Sequence, residues 1–407
     1  MRTLLVLCCL MATARADVLG LGAGTAAIFG VGQAWYWRNG GSASRGDWAL
    51  PFTWGTIGRK LDGDGLRFDG DGFDTNALKH PLFGTSVYAL ARANGYSRGG
   101  SFLYATAISL AWETFGEWRE YASINDLLAT STSGTPIGEA LYQIARHWST
   151  TELELDLGAG KLATGTGAQL SARAAVDLGD GEAASLALAI PYDLRREERD
   201  GIEGRDFTAR STLGSRVVRR EGTNLLAVGL ASEFTYHELL ADPVWDLFAA
   251  AKAGPMLDAV MTDGSVTVRA GVDATADFAM LRSFAFDAWR AQHPGVPVRA
   301  VLANTHPYYY AAGITVAPRL AVEYRGIEAG GTLGGSLFRS LDGHDRAVDD
   351  GLALRDTETI GEGWVAVRIG AAVLRVDVRA RHRASSIGSA TGAYAEHTAL
   401  ASVGVRL

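Results

Sequence analysis

From about residue 150 to the last residue the side chains alternate between apolar and polar, and this two-residue period constrains the fold more than any other feature of the chain. Leu153, Leu155 and Leu157 alternate with Glu152, Glu154 and Asp156. Leu170, Ala172, Ala174, Val176 and Leu178 alternate with Ser171, Arg173, Ala175 and Asp177, and Val266, Val268, Ala270 and Val272 with Thr267, Arg269, Gly271 and Asp273. At the C-terminus Ala399, Ala401, Val403, Val405 and Leu407 stand against Leu400, Ser402, Gly404 and Arg406. Such a period places one set of side chains on each face of an extended strand. Further strand candidates lie at 183–192, 205–218, 223–236, 245–260, 308–325, 327–339 and 361–380. Turn signals punctuate them at Gly179-Asp180-Gly181, Asp200-Gly201, Asp263-Gly264 and Asp342-Gly343. The pattern predicts about ten to fourteen antiparallel strands, with twelve the central expectation, because single-chain bacterial barrels use even numbers.

A soluble sandwich or a periplasmic sheet also alternates. Three features favour a membrane barrel instead. The strands are long, the chain ends on a strand with an apolar last residue, and charges such as Arg375, Asp377 and Arg379 recur on the face that would line a lumen. Leu407 stands where such barrels usually place an aromatic. The chain is 47% hydrophobic, yet beyond its first residues it offers no clean apolar run of twenty. The nearest, from Val18 to Trp37, is Gly-rich and contains Gln33. An apolar chain without helical spans fits a barrel, whose membrane signal is diluted by alternation.

The first sixteen residues read as a cleaved secretory signal peptide: Arg2, then the apolar stretch Leu4 to Met11, then Ala14-Arg15-Ala16 before Asp17. Acylation at Cys8 or Cys9 is the weaker alternative, since no small residue precedes either in the usual way. Cleavage after Ala16 removes both cysteines and, with them, any thiol chemistry. It also removes Arg2 and Arg15, so 38 basic residues become 36 against 45 acidic ones, a net charge of −9. That balance argues against a nucleic-acid partner, which needs clustered positive charge. Membrane lipids are the expected partners, in the outer membrane, and no cofactor is implied.

Residues 17–148 differ in character, with helix-period segments separated by Gly- and Asp-rich loops. The most distinctive text is Thr75-Asn76, His80-Pro81-Leu82-Phe83-Gly84, Ala91-Arg92-Ala93-Asn94-Gly95, Ser109 with Trp112-Glu113, Ser123-Ile124-Asn125-Asp126 and Gly138-Glu139. Over residues 69 to about 148 this order and spacing resembles the bacterial domain-of-unknown-function family 3943. The family form has a Pro before Ser-Ile-Asn-Asp, where this chain has Ala122. The resemblance implies no activity; it directs attention to residues.

Read physically, a helix opens at His80-Pro81, with Pro81 suited to its first turn. Four-residue spacing puts His80, Gly84, Tyr88 and Arg92 on one stripe. A second helix, from about Ser101 to Trp118, carries Ser109, Glu113 and Glu117 on a stripe of an otherwise apolar surface. Polar stripes are costly to bury without partners, so the two are expected to face each other. His80, Tyr88 and Arg92 would then pair with Glu113 and Glu117, with Asn125, Asp126 and Glu139 nearby. The cluster could be a structural network that fixes a helical plug or cap. The less favoured alternative is that it supplies an acid and a base, with Ser109 as a conceivable nucleophile, although Ser109 lacks the Gly-x-Ser-x-Gly elbow.

No metal site is expected. Asp62, Asp64, Asp69, Asp71 and Asp74 fail the EF-hand register, with Leu66 and Phe73 at loop position five, and read as a solvated linker. His80 with Glu113 and Glu117 lacks the paired histidines of zinc motifs. Trp35-Tyr36-Trp37 and Tyr308-Tyr309-Tyr310 suit either an interfacial girdle or ordinary packing. Arg195 to Asp200 reads as a solvated loop.

The sequence thus predicts a mainly β protein: a signal peptide (1–16), a polar-striped helical N-terminal domain with an acidic loop (17–148) and an antiparallel membrane β-barrel of about 12 strands (149–407). The expected role is structural or transport-related in the cell envelope. The alternative is an envelope hydrolase acting on lipid or cell-wall material through His80, Glu113 and Glu117.

Overall fold

The computed structural model describes residues 18–38, 53–61, 66–117, 120–194, 202, 204–241, 244–298, 300–341 and 353–407. Residues 1–16, expected to be a signal peptide, Asp62 and Asp64, the Arg195–Asp200 segment and the expected turns at Asp200-Gly201 and Asp342-Gly343 lie outside the described residues. The chain divides into two compact units. One comprises Met1–Arg146 with Val298–Pro307 and Asp342–Gly351, and the other comprises His147–Pro297, Tyr308–Leu341 and Leu352–Leu407.

The first unit is helical: α1 (Val18–Arg38), α2 (Trp54–Leu61), α3 (His80–Ala93), α4 (Arg98–Ala111), α5 (Ile124–Leu128) and α6 (Gly134–Arg146). Two short parallel strands, β1 (Leu66–Arg67) and β2 (Ala122–Ser123), tie the loop before α3 to the loop before α5. No helix among the described residues is long and apolar enough to cross a membrane. α3 opens with proline in its first turn, where the missing N–H is harmless. α4 starts on Ser97, whose side chain accepts from Gly100 N. Gly84 allows α3 to press against the chain leading into α6: a Cβ there would fall on the Thr130 carbonyl, and one at Gly134 would lie 2.8 Å from Gly84 Cα.

The second unit is a closed antiparallel barrel of twelve strands. These are β3 (Glu152–Lys161), β4 (Thr166–Gly179), β5 (Glu182–Asp193), β6 (Gly204–Glu221), β7 (Asn224–Ala241), β8 (Val244–Asp263), β9 (Val266–Leu281), β10 (Tyr309–Tyr324), β11 (Ile327–Ser340), β12 (Leu354–Ile369), β13 (Ala372–Ile387) and β14 (Ala390–Arg406). Each pairs with its neighbour in sequence, and β14 closes the ring on β3 from Ala399↔Lys161 to Arg406↔Glu154. No barrel strand is left with an unpaired edge, the condition for crossing hydrocarbon.

The alternation read from the sequence is the alternation of the wall. Leu157, Ile314, Leu333, Val376 and Val403 point outward and are each more than half exposed. The lumen face carries Glu154, Arg210, Asp273, Glu358, Arg379, Arg381 and Arg383, joined by ion pairs. Segment 361–380, read from sequence as one strand, is the end of β12 and the start of β13. Gly370 turns the chain between them at φ +62°, and apolar residues on both sides hid the break. Tyr308, Tyr309 and Tyr310 are all buried, and Tyr309 donates to Asp356 Oδ2 at 2.6 Å, so these rings pack and do not form a girdle. A short helix, α7 (Phe286–Gln292), lies in the long connection between β9 and β10.

Candidate functional site

The candidate residues of the helical unit form two clusters. The first centres on Glu139, fully buried on α6. It accepts from Tyr88 Oη at 2.9 Å, Arg92 Nε at 2.7 Å, Arg98 Nε at 3.0 Å and Gln143 Nε2 at 2.6 Å. Burial alone would raise the Glu139 carboxyl, but the hydrogen bonds from Arg92 and Gln143 outweigh it and hold its pKa below the usual value. Tyr88 is pushed upward by burial and by the Glu139 charge. This is a satisfied, charge-assisted network that locks α3, the start of α4 and α6 together. Gly138 belongs to it sterically, since a Cβ there would sit 2.8 Å from the Tyr88 ring.

The second cluster gathers acids. Glu113, Glu117 and Asp126 each place a carboxylate oxygen within 4.8 Å of the others. His80 Nε2 lies 3.3 Å from Asp126 Oδ1. Asn125 Nδ2 donates to Asp126 Oδ1 at 2.8 Å, Ser123 N to Glu113 Oε2 at 2.8 Å and Trp112 Nε1 to Glu117 Oε1 at 3.0 Å. Asp69 joins from the loop before α3: it accepts from Asn76 Nδ2 at 2.9 Å and Ser123 Oγ at 3.3 Å, while its own N–H donates to Asn125 Oδ1. Lys60, from α2, is buried beside them, but its ammonium donates to the backbone carbonyls of Glu113 and Glu117 at 2.7 and 2.8 Å.

The local backbone explains the convergence. A π-helical turn at Thr75–Lys79 delivers His80, a second at Trp112–Gly116 carries Glu113, and a third at Ala129–Ser133 follows Asp126. In the second, Glu117 N donates to Trp112 O at 2.9 Å, a five-residue step that turns Glu117 away from the α-helical stripe. Single π turns of this kind are frequent at functional sites.

Electrostatics follow from burial and the crowding of like charges. Burial, reinforced by Glu117, raises the Glu113 carboxyl well above its ordinary range. Burial and the nearby Glu120 push Glu117 up to about 8. Asp126 is raised by burial and by Asp69, burial lowers the Lys60 ammonium, and burial takes His80 down to about 4. The cluster is a store of protons near neutral pH, or a set of oxygen donors with one imidazole nitrogen that a divalent cation would fit.

The stripe-to-stripe pairing expected from sequence is therefore corrected. His80 meets Asp126, whereas Tyr88 and Arg92 meet Glu139, not Glu113 and Glu117. Asn125 lies with Asp126 in the acidic cluster. Ser109 is buried on α4, and the serine bonded into the cluster is Ser123. Asp69, expected in a solvated linker, is 8% exposed and bonded. Lys60, Arg98 and Gln143 were not among the candidates, and Asn76 and Ser123 stood in the motifs without a place in the expected cluster. Arg98 and Gln143 have no periodic relation to the stripes, and Lys60 sits on a short helix with no motif. Tyr36 donates to Glu120 Oε1 at 2.6 Å, so that tyrosine packs within the unit.

Comparison with known structures returns outer-membrane barrels. BamA from Haemophilus ducreyi lacking POTRA domains 1–3 is 9% identical over 63% of this chain and 70% of that one, with a TM-score of 0.28. An outer membrane channel from Pseudomonas putida F1 is 10% identical over 63% and 94%, with a TM-score of 0.30. Outer membrane phospholipase A from Escherichia coli is 12% identical over 63% and 95%, with a TM-score of 0.27. No curated protein matches the sequence. Residues 65–163, the span from just before β1 through β3 that holds both clusters, match the family model described as domain of unknown function (DUF3943), and the closed twelve-stranded barrel follows.

Proposed function

We propose that the chain is an outer-membrane protein whose barrel is embedded in lipid, with a structural or transport-related role in the envelope. The observation that carries this is the outer wall. On β11 the outward residues run Ile327, Ala329, Gly331, Leu333, Gly335 and Leu337 before Arg339. On β13 they run Leu374, Val376, Val378 and Ala380 before His382. Ten residue steps of about 3.3 Å, tilted about 40°, span about 25 Å, the height of a barrel's apolar band. An aliphatic surface of this extent has no stable place in water. Membrane lipids are the partner this surface fits.

The tight turns at Asp180-Gly181, Gly222, Gly264, Gly326 and Gly370 share the barrel end at which β3 starts and β14 finishes. Short turns face the periplasm in bacterial barrels, which assigns the longer connections after β5, β9 and β11 to the outside. Fractionation with protease added to intact cells tests both parts. Recovery in outer membranes, a gel mobility that shifts on heating and cleavage near residues 195–200 or 342–352 are expected. Recovery as a detergent-free periplasmic protein would refute the reading. The hydrolase reading is less favoured, because the serine bonded into the acidic cluster, Ser123, spends its hydroxyl on Asp69, Asn125 and the Asp126 N–H, as a helix cap does.

A further inference from the structure

Direct ion pairs cross the barrel from wall to wall. Arg379 on β13 donates to Asp206 on β6 at 2.9 Å. Arg381 and Arg383, also on β13, donate to the two oxygens of Asp246 on β8 at 3.0 and 2.5 Å. His237 Nε2 on β7 lies 3.8 Å from Glu396 Oε2 on β14. In the closed order β10-β11-β12-β13-β14-β3-β4-β5-β6-β7-β8-β9, each pair is separated by five steps, one short of opposite.

A circular ring of twelve strands, about 4.8 Å apart and tilted about 40°, would hold such walls about 23 Å apart between Cα atoms. A fully extended arginine, an aspartate and one hydrogen bond reach about 14 Å together. The walls must therefore be drawn together at this level. The side chains at this level are buried: Arg381, Arg383, Asp246, Asp356, Tyr309 and Phe338 are each at most 1% exposed. The Phe248 and Phe338 rings meet at 5.7 Å, and Arg383 also donates to the Arg282 carbonyl. Toward the tight-turn end the lining opens, with Arg375 at 21% and Asp377 at 39% side-chain exposure.

We propose that these trans-lumen pairs are a latch that seals the barrel, so that its resting state is non-conducting and a transported solute passes only after β13 releases Asp246. The inference rests on the membrane-barrel reading and sharpens it: the protein is a shut pathway or an anchor, and not an open diffusion pore. An unpaired charge in so dry a place is costly, so the arginines and aspartate hold each other more firmly than exposed pairs do. The Arg381–Glu358 and Tyr309–Asp356 bonds, at 2.6 Å each, fix the flanking groups.

Full-length protein reconstituted in planar bilayers tests this. Wild type should give no conductance steps, whereas Asp246→Ser with Arg383→Ser, which removes one charge of each sign and leaves Arg381 on Glu358, should give discrete steps. Steps of equal size from wild type, or silence from a double variant shown by its heat-dependent gel shift to be folded and inserted, would overturn the latch. If the double variant does not fold, Asp246→Cys with Arg381→Cys, in a background of Cys8→Ser and Cys9→Ser, keeps the question open to measurement. A short bis-maleimide should join them in folded protein and not after heat denaturation; absence of cross-linking in folded protein would overturn the proposal. The cross-link is read in any folded sample, so failure of the latch remains distinct from failure of membrane insertion.

Discussion

Removing the Glu139 carboxylate should unlock the helical unit, and the structure sets the size of the effect. Glu139 is fully buried and accepts five hydrogen bonds from Tyr88, Arg92, Arg98 and Gln143, Arg92 supplying two of them. Glu139→Ala leaves two guanidinium groups without their anion and two buried polar groups without an acceptor. Breaking a buried ion pair from one side costs about 3–5 kcal/mol. The Arg92 and Arg98 side chains are 12% and 26% exposed and can recover some hydration, which places the loss at the lower end, about 3 kcal/mol. For a unit of this size that is a fall of about 10 °C in melting temperature. The assay is thermal unfolding of the full-length protein in detergent, followed by its helical far-UV signal. Glu139→Gln, which keeps an acceptor and loses the charge, should fall between parent and Ala variant. Arg92→Met combined with Glu139→Met should recover part of the loss, because only Arg98 is then left without its anion. A Glu139→Ala variant melting within about 2 °C of the parent, or a coupling between positions 92 and 139 below about 0.5 kcal/mol, would refute the reasoning.

Three further outcomes are expected. Glu117 titrates near 8 in the fold against 4.5 for the free group, so the unfolded chain ionises first and the helical unit loses stability as pH climbs from about 4.5 through about 8. Glu117→Gln should melt above the parent at alkaline pH and coincide with it at acidic pH; the same difference at both would exclude that titration as the cause. Gly84→Ala, whose Cβ would meet the Thr130 backbone, should lower the melting temperature of the helical unit by an overpacking cost of about 1–3 kcal/mol, read in the same scan. Leu333→Arg, near the middle of the outward row on β11, should weaken insertion into lipid vesicles by about 2–4 kcal/mol, whereas the same change at outward Leu337, beside Arg339, should cost less.

The barrel was legible because its cause is local. Residues such as Val266, Val268, Ala270 and Val272 share a face through backbone geometry alone, and no distant contact is needed to read them. Turn chemistry is equally local at Gly179-Asp180-Gly181 and Asp263-Gly264, and the even-number expectation of twelve strands agrees with the ring. The one merged pair of strands failed at Ile369-Gly370-Ala371, where a tight glycine turn sits inside continuous apolar text.

The site was legible only in part. The motifs around His80, Glu113, Asn125-Asp126 and Glu139 lie on segments that the fold brings together, but an unbroken α-helix was assumed where Trp112–Gly116 widens into a π turn. That turn re-aims Glu117 and invalidates the stripe on which the pairing was based. Asp69 was read as solvated because a Gly- and Asp-rich loop looks the same in sequence whether its carboxylate faces water or Asn76 and Ser123.

The sequence by itself determined where most strands run, which side of each faces outward and which segments of the helical unit carry buried polar groups. Only the tertiary structure decided that Arg381 and Arg383 reach Asp246 across the ring, and that Glu139 and Asp126 anchor separate networks. Periodicity belongs to neighbouring residues and is written in their order. The choice of partner for a buried charge depends on distances between elements far apart in the chain, and low-dielectric surroundings then make each such choice energetically decisive.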